Sequence, residues 1–132
     1  MFLKLYLVSL PIFLLLDAIW LSFVAKGFYA KHIGFLMKGD INFVAAAIFY
    51  LLFVAGIVVF VLNPSLKEKS WVMALGLGAL FGLISYATYD LTNLATIKNW
   101  PLVVTIVDLI WGALVSSLVS VTGFFIAKKL GV

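Results

Sequence analysis

The chain has no cysteine, no arginine and a single histidine, and only 11% of its 132 residues are charged. Without cysteine there can be no disulfide framework, thiolate metal site, iron–sulfur cluster or cysteine nucleophile. Without arginine the planar fork of donors that grips phosphates and carboxylates is missing. All nine cationic side chains are lysines, scattered at the ends of apolar runs with no basic stripe, so nucleic acid is not expected as a partner. No metal-ligand spacing, phosphate loop or nucleophile motif is present, and no cofactor is expected. The charge deficit has the largest consequence. There is too little polar surface to cover a water-soluble globule of this length.

What the chain has instead is apolar residues, 66% of the total, with a mean hydropathy of +1.27. A spanning helix needs about 20 apolar residues. Four such runs, at about 2–24, 41–62, 71–95 and 102–127, use nearly the whole length. The expected fold class is therefore an all-α membrane protein, a four-transmembrane-helix bundle in one domain over 1–132, with the lipid bilayer as its main partner. The first run follows Lys4 as a secretory signal would, but it is too long for a signal core and carries Asp17. Pro11 is expected to kink it. Between 27 and 39, Tyr29, Ile33, Leu36 and Met37 share one helical face and Lys31, Gly34 and Lys38 the other. That pattern predicts a short amphipathic helix lying in the interface between helices 1 and 2. Asn63-Pro64 reads as the turn that ends the second run, and Trp71 as an interfacial anchor opening the third.

Four spans put both termini on one side. Lys4, Lys67, Lys69, Lys128 and Lys129 fall on that side and Lys26, Lys31, Lys38 and Lys98 on the other. The C-terminal pair favours cytoplasmic termini.

Two stripes of small residues stand out. Gly78 and Gly82 lead at i+4 spacing to Tyr86 and Asp90, and Asp108 leads to Gly112, Ser116 and Ser120. Small residues on one stripe let helix backbones approach closely in lipid, so both stripes are expected to face protein. Counting residues from the helix ends puts Asp17, Asp90 and Asp108 each roughly 5 to 10 Å inside the side opposite the termini. A charge in hydrocarbon is costly and turns inward or toward water. Three acids in one layer imply a polar pocket in which not all can ionise, so at least one is expected to hold a proton. Asp17 and Trp20, and Asp108 and Trp111, recur as D-x-I-W. This spacing places each indole three residues from its acid, where its N–H can reach a carboxylate on the opposite helix. The run Tyr86 to Thr96, with Tyr89, Thr92 and Asn93 around Asp90, is the densest polar segment and a candidate ligand or proton site. His32 reads as a polar interfacial residue.

Leu16-Asp17-Ala18-Ile19-Trp20-Leu21, the run Tyr89-Asp90-Leu91-Thr92-Asn93-Leu94-Ala95-Thr96 with Trp100-Pro101, and Asp108-Leu109-Ile110-Trp111-Gly112 together resemble domain-of-unknown-function family 2177, small predicted bacterial membrane proteins. The resemblance covers essentially the whole chain. It implies four helices and a bacterial inner-membrane setting, and carries no activity with it.

Three functions compete. An acidic pocket could bind or transport a cation or a small polar or lipid-like ligand in exchange for protons. Four short helices enclose little volume, so a transport pathway would call for a homodimer. An intramembrane enzyme using paired aspartates is a second reading, weakened because Gly76-Leu77-Gly78 is followed by alanine rather than aspartate. The third is a structural or accessory subunit whose polar residues only assemble helices.

Overall fold

The computed structural model describes all residues from Met1 to Val132, and every regular element in it is helical. Four helices are long and apolar enough to cross a bilayer: α1 (Phe2–Leu36), α2 (Phe43–Lys67), α3 (Trp71–Thr96) and α4 (Leu102–Lys129).

α1 is longer than its sequence suggests. Its 35 residues extend roughly 52 Å, against a hydrocarbon core of about 30 Å. The separate interfacial helix expected at 27–39 is not separate: the chain passes from Trp20 through a π-helical turn at Leu21–Ala25 into α-helix again at Lys26–Ile33, closing with a tight turn at Gly34–Leu36. The reason lies in the inward stripe. Leu5, Ser9, Phe13, Asp17 and Ala25 are buried, and Leu21, Tyr29 and Ile33, at the same spacing of four, line an internal cavity. A strict four-residue repeat drifts about 40° per step around an α-helix, and the wider π turn reverses part of that drift. Pro11 stays within the helix.

α2 also outruns its expected end. Asn63-Pro64 does not close it, because a π turn at Val58–Leu62 precedes the proline and Pro64 falls in the first turn of a renewed α-helical stretch, where a missing N–H costs little. The chain reverses five residues later. Lys69 adopts φ 52°, Ser70 N–H donates to Ser65 C=O at 3.0 Å, and Lys69 N–H donates to Leu66 C=O at 3.1 Å. This is a Schellman cap with lysine where glycine is usual. Side chains cap the starts of α2 and α3, Asn42 accepting from Ala45 N–H and Ser70 from Met73 N–H, each at 3.1 Å.

α4 is the central helix, with thirteen buried residues against four on α3. α3 lies tightly along it. A Cβ placed on Gly82 would sit 1.9 Å from Gly112 C=O, and one on Gly112 would sit 2.4 Å from the Tyr86 ring. Only glycine permits this approach. Gly78 faces Ser120, whose hydroxyl donates to Ser116 C=O at 2.7 Å. α1 and the second half of α2 complete the core through Phe13, Phe53, Val54, Ile57, Val58, Val61 and Leu62, with Phe13 and Phe53 rings 5.0 Å apart. The first half of α2 is different. From Phe43 to Leu52 only Ala46 and Tyr50 are even half-buried.

Met1, Lys69, Lys128 and Val132 border one shallow cavity of about 230 Å³. Both termini and the α2–α3 turn therefore lie at the same end of the bundle.

Candidate functional site

Toward the opposite end, all four helices wall a cavity of about 470 Å³. α1 contributes Asp17, Trp20, Leu21, Tyr29 and Ile33, and α2 contributes Ala46, Phe49 and Tyr50. Ser85, Tyr86, Tyr89 and Asp90 come from α3, and Asp108 and Trp111 from α4. Asp90 stands six residues before the end of α3 and Asp108 six residues after the start of α4, or roughly 9 Å of helical rise in each case. The wall holds three carboxylates and no lysine or histidine.

The acids differ in what they touch. Tyr50 hydroxyl donates to Asp17 Oδ2 at 2.5 Å, joining α2 to α1. Tyr29 hydroxyl donates to Asp108 Oδ1, joining α1 to α4. Asp90 is fully buried with its carboxyl placed to share a hydrogen bond with the carboxyl of Asp108, and no hydroxyl, indole or amide donates to either of its oxygens. A buried polar group without a partner costs about 1–3 kcal/mol, and more if charged. Its backbone is held firmly: Trp100 Nε1–H donates to Thr105 Oγ1 at 3.0 Å and the Thr105 hydroxyl donates to Asp90 C=O at 3.3 Å.

The two D-x-I-W segments meet, through their rings. Trp20 and Trp111 stack with centroids 4.4 Å apart and planes 8° from parallel. The Trp111 indole is brought against the Asp17 carboxyl on the opposite helix, in the direction the spacing suggests. Trp111 Nε1 is buried and falls short of a close hydrogen bond, and two tyrosines supply the close donors to Asp17 and Asp108. Because α1 and α4 run antiparallel, Asp17 lies on the terminal side of the tryptophan pair and Asp108 on the far side. No point in the protein gathers three acidic or histidine side chains at metal-ligand distance.

Seven residues singled out in the sequence, Asp17, Trp20, Tyr86, Tyr89, Asp90, Asp108 and Trp111, border the cavity. Thr92 and Asn93 do not. The Thr92 hydroxyl turns back onto the carbonyls of Thr88 and Tyr89, and Asn93 lies beyond the cavity with its own carbonyl accepting from Ile97 N–H at 2.8 Å. Tyr29, Tyr50 and Ser85 were not anticipated. Tyr50 had a faint signal, as the polar tip in an otherwise apolar run. His32 packs on Phe28, 4.7 Å between centroids, away from the cavity.

No curated protein and no solved structure matches the chain. A model of one family does match, over residues 2–125. With four helices able to span a bilayer and this near-complete match, the chain belongs to the predicted membrane protein family DUF2177.

Proposed function

We propose that this protein binds an organic cation in the acidic cavity and releases a proton as the cation enters. It does so in the inner membrane of a bacterium, with both termini in the cytoplasm. The supporting observation is Asp90, fully buried against the Asp108 carboxyl on the wall of a cavity that holds three carboxylates and no basic residue, with no hydroxyl, indole or amide donating to it. A carboxyl in that position needs a counter-charge, and the cavity offers only a proton or a cation brought by a ligand. The groups around it are Asp17 and Tyr29 from α1, Tyr50 from α2, Tyr86 and Tyr89 from α3, and Asp108 from α4. None is basic. The tryptophans, tyrosines and Phe49 present π faces that attract cations, and about 470 Å³ falls within the range of about 300–1,000 Å³ of small-molecule sites. The acids do not converge at metal-ligand distance, which suits an organic cation better than one metal ion. Lys69, Lys128 and Lys129 at the terminal end support the orientation.

The Tyr29–Asp108 and Tyr50–Asp17 bonds favour a second reading, in which the acids are contacts that assemble helices. Asp90 accepts from no tyrosine and meets only another acid, Asp108, which separates the two readings. The experiment is to titrate wild type and Asp90→Asn, in lipid nanodiscs and weak buffer, with benzyltrimethylammonium, following tryptophan fluorescence and medium pH. Saturable quenching with proton release in the wild type, lost in the variant, is expected. Equal responses in both proteins, or no proton release, would favour the assembly reading.

A further inference from the structure

The cavity does not close toward the surface that faces lipid. Three residues of its wall, Leu21 on α1, Phe49 on α2 and Tyr89 on α3, are 49%, 45% and 56% exposed. They mark a mouth on the side of the bundle. Its α2 edge is the half-helix Phe43 to Leu52, which stands off from the core and shows Phe43, Val44, Ile48, Phe49, Leu51 and Leu52 outward. In a spanning helix these residues face acyl chains. The mouth therefore joins an interior with three acids to the hydrocarbon outside.

From this we infer that the ligand is a hydrophobic amine, a cationic head on an apolar chain, which reaches the cavity sideways from the bilayer between α1, α2 and α3. The inference rests on the cation-binding reading and adds the ligand class and its route. Charge fixes the head. With no lysine or histidine in the wall and no arginine in the chain, an anionic or phosphate-bearing head meets repulsion from three carboxylates and no compensating donor fork. The carboxyls of Asp17 and Asp108, each 7% exposed, present the acidic surface that the head meets, with Asp90 buried beside Asp108. The chain is fixed by the mouth, because an apolar tail trailing past Leu21 and Phe49 stays in lipid while the head is desolvated among aromatics. A fully water-soluble cation of the same head gains nothing from that side opening.

The test measures binding to protein in nanodiscs, with the signal of empty nanodiscs subtracted, for decyltrimethylammonium, tetramethylammonium and decyl sulfate, each below its micelle concentration. The expected result is saturable excess binding of decyltrimethylammonium, at least ~10-fold tighter than tetramethylammonium, no excess binding of decyl sulfate, and loss of decyltrimethylammonium binding in Asp90→Asn. If tetramethylammonium binds as tightly as its decyl analogue, the amphiphile and its lateral route are overturned while the cation site stands. If decyl sulfate binds as well as decyltrimethylammonium, the charge argument is overturned. If neither cation binds, the inference and the reading beneath it fall together.

Discussion

The three acids of the cavity carry different amounts of structural responsibility, and single substitutions separate them. Tyr50 supplies a donor to Asp17. Tyr50→Phe leaves a buried carboxyl without that donor and is expected to cost about 1–3 kcal/mol of stability. In a cycle with Asp17→Asn the two substitutions should couple by about 0.5–3 kcal/mol, read as thermal unfolding of the purified single and double variants. Additive effects would mean that the bond contributes nothing. Asp90 accepts from no hydroxyl or amide and meets only the Asp108 carboxyl, an unfavourable neighbour when both are charged. Asp90→Asn is therefore expected to keep or raise the midpoint of thermal unfolding, and a large drop would show that Asp90 holds the fold together. The acids themselves were legible in the sequence, because a charge in an apolar run is conspicuous and counting helical rise brings the three to one end. Their partners were not. A tyrosine in an apolar run carries no mark of which way its hydroxyl points, and Tyr29 lay beyond the expected end of its helix. Thr92 and Asn93 show the converse, polar side chains beside Asp90 in sequence whose hydroxyl bonds back to its own helix or which lies a turn beyond the cavity.

For the helices, the informative contrast lies between two glycines six residues apart on α3. A Cβ at Gly82 collides with the backbone of α4, whereas one at Gly76 meets nothing within 4 Å. Gly82→Ala should force α3 from α4 and destabilise by more than about 2 kcal/mol. Gly76→Ala should be neutral or stabilise by up to about 1 kcal/mol through helix propensity. Thermal unfolding of the two variants side by side checks the pair, and equal shifts would contradict the packing described. The small-residue stripes showed where close approach was possible, since Gly78, Gly82, Gly112, Ser116 and Ser120 follow a simple spacing. Helix ends were less legible. The π turns at Leu21–Ala25 and Val58–Leu62 leave no compositional trace, so the end of α1 was expected too early and Asn63-Pro64 was read as a stop. What decided both was burial: Ala25, Tyr29 and Ile33 in α1, and Ser65 in α2, still had an inward face to present.

At the scale of the molecule, the bundle is asymmetric. The half near the termini is a closed core of aliphatic and aromatic residues interleaved with buried serines, and the other half is a walled space with acids, aromatics and exposed wall residues beside the start of α2. Four antiparallel helices put Lys98 at one end and Lys129 at the other. The absence of native cysteine makes this directly measurable. Lys98→Cys and Lys129→Cys, each the only thiol in its protein, should be modified by a membrane-impermeant maleimide from opposite faces of sealed vesicles. Labelling of both from the same face would contradict a four-span bundle.

In the proposed function the cavity exchanges a proton on Asp90 for an organic cation. The most direct measurement is the infrared difference spectrum on adding decyltrimethylammonium to the protein in nanodiscs, recorded for wild type and Asp90→Asn. A protonated carboxyl band that disappears as the cation binds, and is missing from the variant's difference spectrum, is the predicted result. A wild-type spectrum with no carboxyl change, or the same change in Asp90→Asn, would contradict the account.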